Sequence, residues 1–117
     1  MIRRSLVVLL LIAVALPLRA ANTVSTTLNG VKAFPNPWRS DKHSNMSVTF
    51  DGMPASSVIK IFTVSAREVK QLSADSNGTA LWDRTNDSGD AVASGVYIYL
   101  VIDPQGNHTS GKLAIIK

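Results

Sequence analysis

The chain has 117 residues, with 12 Lys plus Arg against 8 Asp plus Glu and no cysteine, a size that fits one domain and excludes a two-domain enzyme. Without cysteine there are no disulfides, thiolate metal centres or cysteine nucleophiles. Arg3, Arg4 and Arg19 lie near the N-terminus, so residues 21–117 keep nine cations against eight carboxylates, and a balance this close to neutral with no Lys/Arg cluster excludes binding through nucleic-acid phosphates.

Met1 to Arg4 make a positive start, Leu6 to Leu16 are apolar without a charge, and Pro17 precedes Leu18-Arg19-Ala20-Ala21. This is the layout of a cleavable secretory signal peptide over residues 1–20. The apolar stretch falls short of the roughly 20 residues that a spanning helix needs, and with no cysteine there is no lipoprotein anchor. Cleavage is expected after Ala20, although Leu18 is not the small residue preferred two places earlier; a chain left tethered by incomplete cleavage is the alternative. The mature protein is expected outside the cytoplasm, in the periplasm, at the cell surface or secreted, with no stable membrane span.

Residues 21–30 are polar and β-branched and end in Gly30, which suits a flexible lead-in or a frayed first strand. Short strand signals follow over residues 31–117. Val31 to Phe34 alternates and stops at Pro35-Asn36-Pro37. Met46, Val48 and Phe50 alternate with Ser47 and Thr49, and Asp51-Gly52 marks a turn. Val58 to Val64, Glu68 to Leu72 and Thr79 to Asp83 come next, separated by Ser65-Ala66 and Asn77-Gly78. A long polar turn leads to Val96–Ile102, which is apolar on both faces, the mark of a central strand covered on both sides. Thr109 to Ile116 forms the last strand. Seven short strands with no amphipathic helical window predict an all-β, antiparallel sandwich, with a small closed barrel as the alternative. Period-2 placement assigns Val48, Phe50, Ile59, Ile61, Trp82, Ile98, Leu100, Leu113 and Ile115 to one core. Gly95, joining a polar turn to the most apolar strand, is expected in a conformation or a close approach that only glycine allows.

The chemistry-bearing residues point away from catalysis. The serines occupy no GxSxG elbow. His43 and His108 sit in polar loops without a ligand partner at metal spacing. Asp83, Asn86, Asp87 and Asp90 share one turn that calcium would suit, but Asp, Asn, Ser and Gly are also the residues a tight turn requires, and the turn reading is preferred. Trp82, Tyr97 and Tyr99 are assigned to the core rather than to a ligand-stacking platform. The four Asn-x-Ser/Thr matches, beginning at Asn45, Asn77, Asn86 and Asn107, are read as turn residues. No catalytic residue, cofactor, metal or small-molecule substrate is expected.

Three segments together resemble a known family. AFPNPWRS at 33–40 resembles the YPNPF opening of the immunoglobulin-like domain of flagellar hook-capping proteins and of the C-terminal sorting domain (type A) of type IX secretion cargo. VIKIFTVSAREVKQL at 58–72 is similar to that family's strand, tight turn and basic second strand. ALWDRTNDSGDAVASGVYIYLV at 80–101, followed by GKLAIIK, resembles its WDG, polar turn and SGVYFY pattern with a Lys-bearing terminal strand. The resemblance spans residues 31–117. It departs at Arg84 and Ala66, where the family has Gly, at Thr63, where Asp is common, and at Trp38, where Phe is usual. The cargo domain follows a large passenger; here about ten residues separate the leader from the first strand. The resemblance implies a seven-stranded immunoglobulin-like sandwich, monomeric, acting as a non-catalytic interaction module with protein partners in a secretion or surface-assembly machinery. A structural or capping subunit of a surface assembly is the alternative it implies. Phe34, Pro35, Asn36, Pro37, Trp38, Lys112, Ile115 and Lys117 are the expected recognition residues, with the terminal strand read as an open edge.

Overall fold

The structure, a computed structural model, describes residues 24–117; the expected signal peptide at 1–20 lies outside them. The described residues hold strands β1 (Lys32–Phe34), β2 (Trp38–Arg39), β3 (Val48–Asp51), β4 (Val58–Thr63), β5 (Glu68–Ser73), β6 (Ala80–Trp82), β7 (Gly95–Ile102) and β8 (His108–Ile116), with one helical turn α1 (Ser40–His43) after β2. Each expected strand segment carries a strand. None of the described helices is long and apolar enough to cross a membrane.

The strands form two sheets, ordered β1-β3-β6 and β2-β8-β7-β4-β5. Their inner faces meet in one core, so the molecule is an all-β sandwich and not a closed barrel. Val48 and Phe50 face it from β3, Trp82 from β6, Ile59 and Ile61 from β4, and Leu113 and Ile115 from β8, all at most 1% exposed. Residues 24–30 carry no strand, while Leu28 packs against the core.

Two features depart from a seven-stranded antiparallel arrangement. β2 is an eighth strand, and it runs parallel to β8, pairing Trp38 with Ile115 and Arg39 with Ile116. Two prolines before it end the β1 ladder because they lack an N–H, and the chain uses the interruption to pass from one sheet to the other. α1 is anchored by His43, whose Nδ1 accepts the Arg39 N–H at 2.9 Å, so this histidine is engaged rather than a free loop residue.

The facing of β7 also corrects an expectation. Tyr97, Tyr99 and Val101 point inward, leaving Ile98 and Leu100 half-buried on the outer face. With apolar residues on both faces, alternation separates two sets without saying which is internal; the aromatic set matches the space between the sheets. Tyr99 meets Phe50 edge-on at 5.2 Å and Tyr97 meets Trp82 at 5.8 Å, favourable geometries for aromatic pairs. The Tyr97 hydroxyl donates to the Ala93 carbonyl at 2.6 Å, a corner other two-sheet sandwiches also use. Burial pushes the phenol pKa of both tyrosines up.

Glycine is required elsewhere than expected. Gly95 is ordinary extended strand, with the Tyr97 ring edge 4.0 Å from where a Cβ would stand. Gly111, directly across from Tyr99 on β8, is the position where a side chain would run into that ring. At Gly78, with φ +76°, a Cβ would strike the Met53 carbonyl.

Candidate recognition site

The expected recognition residues converge on one corner of the sandwich, where the crossing from β1 to β2 meets the C-terminal half of β8. The Phe34-Pro35 and Asn36-Pro37 peptide bonds are both cis. Between the prolines Asn36 behaves like a strand residue through its side chain. Its Nδ2 donates to the Lys112 carbonyl at 2.9 Å, and its Oδ1 accepts the Ala114 N–H at 3.1 Å. β2 continues the same pairing along Ile115 and Ile116.

This arrangement corrects the reading of the terminal strand as an open edge. From Lys112 to Ile115, β8 has β7 on one side and Asn36 with β2 on the other, and Ile116 pairs with Arg39 of β2. The Lys117 N–H is tied down as well, donating to Ser94 Oγ at 2.9 Å. Covering a strand edge in this way removes unpaired backbone groups that would recruit other chains.

Two named residues are core rather than contact residues. Ile115 is 1% exposed and Trp38 is 4% exposed. The Trp38 indole N–H donates to the Met46 carbonyl at 2.8 Å, which satisfies its polar atom inside the sandwich. Pro35 is half-buried, whereas Phe34, Asn36, Pro37, Lys112 and Lys117 are exposed. Neighbouring Ile116 also faces solvent.

Arg84 completes the corner. Its guanidinium carbon lies 4.0 Å from the Trp38 ring centroid, and one of its nitrogens is 3.4 Å from the Met46 carbonyl that Trp38 also engages. Nothing in the spacing placed Arg84 beside Trp38. The available signal was that both positions depart from the same family pattern.

The acidic turn is built as a turn. Asp83 accepts the Thr85 N–H at 3.2 Å and the Thr85 hydroxyl, and that hydroxyl bond holds its carboxyl below the usual range against the opposing effect of burial. Asn86 Oδ1 accepts the Ser88 and Asp90 N–H groups, each at 2.9 Å. Asp87 reaches across to the edge strand β5: its N–H donates to Val69 at 3.0 Å and its Oδ1 accepts the Gln71 N–H at 3.4 Å. A hollow of about 500 Å³ lies between this turn and the β4–β5 turn, and these side chains in it are committed to backbone partners. Among the described residues, no group of three or more His, Asp or Glu side chains is placed to share a metal ion.

No protein-family profile and no curated protein sequence matches the chain. Solved structures do. The chain is similar to part of PorZ, an essential bacterial surface component of the type IX secretion system of Porphyromonas gingivalis, with 30% identity over 79% of its length and a TM-score of 0.68. It is also similar to part of dimeric latent PorU from the same organism, with 28% identity over 74% of its length and a TM-score of 0.50. The chain spans 12% of PorZ and 9% of PorU. Each match is therefore to a domain-sized piece of a much longer protein.

Proposed function

We propose that this chain is a non-catalytic, extracytoplasmic protein-interaction module, similar to a type IX secretion sorting or anchoring domain, that acts by being recognised by proteins of a secretion or surface-assembly machinery. The observation that carries this reading is the likeness to part of PorZ at 30% identity over 79% of the chain. The Asn36 corner supplies suitable chemistry. Phe34 and Ile116 offer exposed apolar contacts, and Lys112 and Lys117 offer exposed cations, all mounted on backbone held by cross-strand bonds. A rigid display of this kind limits the ordering cost of binding.

The test expresses the full chain in Porphyromonas gingivalis with PorZ present or deleted, followed by fractionation and detection with an antibody to the purified protein. The expected result is protein at the cell surface when PorZ is present and in the periplasm when it is absent. Replacing Phe34, Lys112 and Lys117 together by Ala, which touches only exposed side chains, is expected to reduce surface delivery. Deleting Ile115 to Lys117 would remove a core residue and is not a clean alternative. Equal surface delivery in both strains, with the triple variant indistinguishable from the parent, overturns the reading in favour of a structural subunit of the surface.

A further inference from the structure

The two outer faces of the sandwich are unlike. On the three-stranded sheet the outward positions are mixed: Lys32 stands opposite Asp51, and Thr49 lies between Phe34 and Leu81. On the five-stranded sheet the outward row of the central strand β7 is Val96, Ile98, Leu100 and Ile102. β4 places Val58 beside Ile102 and Phe62 beside Ile98, and β8 places Ala114 beside Val96. Phe62, Thr63, Val64, Ala66 and Ile98 line a shallow apolar hollow of about 230 Å³ at one end of this row. A strand apolar on both faces is normally covered on both, yet Val96 is 47% exposed and Val64 is 70% exposed.

Charge selects the occupant. Lys60 pairs with Leu100 from the β4 side, and Lys112 pairs with Ile98 from the β8 side. The two lysines therefore flank the middle of the apolar row from opposite sides, their Cα positions two strand spacings apart across the sheet and two residues apart along it, or roughly 12 Å. Glu68 stands beyond Phe62 on the edge strand, away from the row. A second copy laid face to face would bring four lysines into a closing apolar interface, and like charges juxtaposed there oppose association.

The geometry points to this face as a docking surface for a different protein, whose contact patch is apolar at its centre and carries Asp or Glu side chains placed to meet Lys60 and Lys112. One apolar side chain of that partner seats in the Phe62–Ile98 hollow as an anchor of the kind that dominates interface energetics. The inference rests on the chain being an interaction module and gives it a second surface, which shares Lys112 with the Asn36 corner and otherwise lies across β4 and β7.

The chain has no cysteine, so Leu100→Cys and, on the opposite sheet, Leu81→Cys each provide one labelling point for a maleimide photo-crosslinker. The labelled full chain is illuminated with an outer-membrane extract of Porphyromonas gingivalis. The expected result is a protein adduct from position 100 and none from position 81, with the crosslink mapping to an apolar patch that bears Asp or Glu. Adding Lys60→Glu and Lys112→Glu should weaken the adduct at least about tenfold, whereas Lys32→Glu on the opposite sheet should not. Lys60→Gln with Lys112→Gln serves where the reversal disturbs folding, and should weaken the adduct in the same direction. Adducts to lipid only, an adduct of two copies of the chain, equal labelling from position 81, or insensitivity to both lysine pairs overturns the proposal. PorZ-dependent surface delivery, scored on the parent and on Lys60→Glu alone, which lies outside the Asn36 corner, separates the two readings. Delivery intact with no adduct removes this surface alone, and an adduct formed without PorZ-dependent delivery removes the sorting reading alone.

Discussion

Arg84 has φ +65° and Ala66 has φ +71°, a left-handed conformation that costs a residue with a Cβ roughly 1–2 kcal/mol. These are the two positions where the family resemblance expects glycine, and the backbone at both takes a glycine-type conformation with a residue that carries a Cβ. At Arg84 the stacking on Trp38 offsets part of that cost, by about 0.5–1 kcal/mol for an incompletely buried pair. Arg84→Ala is therefore expected to destabilise by about 0.5–1 kcal/mol, since it loses the stacking and keeps the strain. Arg84→Gly should stay within about 0.5 kcal/mol of the parent, because relief of φ is countered by the lost stacking and the looser unfolded chain. Urea denaturation followed by tryptophan fluorescence measures both; no loss in Arg84→Ala would remove the stacking argument, and equal losses in the two variants would remove the strain argument. Asp103 is a second residue whose environment is specific. Burial alone would push its carboxyl up, but N–H groups from Gln105 and Asn107 and the Asn107 side-chain amide, at 2.9, 2.9 and 3.1 Å, hold it below the usual range. Because the folded value lies below the unfolded one, of about 3.9, the ionised group stabilises the fold above that pH, and the contribution is lost as pH falls through the folded value. Asp103→Asn should be less stable than the parent at neutral pH and should lose less on acidification. Parallel stability curves for the two proteins from neutral pH to about pH 2 would contradict this.

At the scale of elements, the junction of β1, β2 and β8 decides how the C-terminal strand is held. Asn36 makes two hydrogen bonds to β8, and at about 0.5–1.5 kcal/mol net for each, Asn36→Ala is expected to cost about 1–3 kcal/mol. Hydrogen exchange gives the local check: the Ala114 amide should lose protection well before the Leu113 amide, whose residue pairs with Tyr97 on the other side. Unchanged exchange at Ala114 would show that the side chain does not substitute for a strand. Asn36 was legible as a residue of interest because it sits in the PNP segment that carries the family resemblance, but its partner lies 76 residues away, and no local pattern announces that pairing. β2 was illegible for the same reason: two residues carry no periodicity, and their strand character comes entirely from Ile115 and Ile116 on β8.

At the scale of the molecule, stability rests on the inner faces of two sheets, and the two sides of β7 and its neighbours are expected to respond differently to truncation. Ile61 is fully buried, so Ile61→Ala should cost about 2–5 kcal/mol, the range for a core aliphatic that leaves a cavity. Leu100 lies on the half-buried outer face, and Leu100→Ala should cost about 1 kcal/mol, since solvent or neighbouring side chains fill the vacated space. Chemical denaturation of the two variants beside the parent tests the assignment. A Leu100→Ala loss equal to that of Ile61→Ala would mean that the outer face is packed as tightly as the core.

Strand positions, the two-sheet class and most of the core were determined locally. Alternation in Met46–Phe50 and Val58–Val64, and breakers such as Asp51-Gly52 and Asn77-Gly78, act through backbone sterics and period-2 burial, which short segments express by themselves. The expectation of a secretory leader likewise rests on local composition alone. Only the tertiary structure decided which face of Val96–Ile102 turns inward, because both faces are apolar and the choice depends on how Tyr97 and Tyr99 fit against Trp82 and Phe50 on the other sheet. It also decided that the C-terminal strand is covered and that Gly111, not Gly95, must be glycine. Those outcomes arise from contacts between residues far apart in the chain, where shape and hydrogen-bond complementarity replace periodicity as the deciding term.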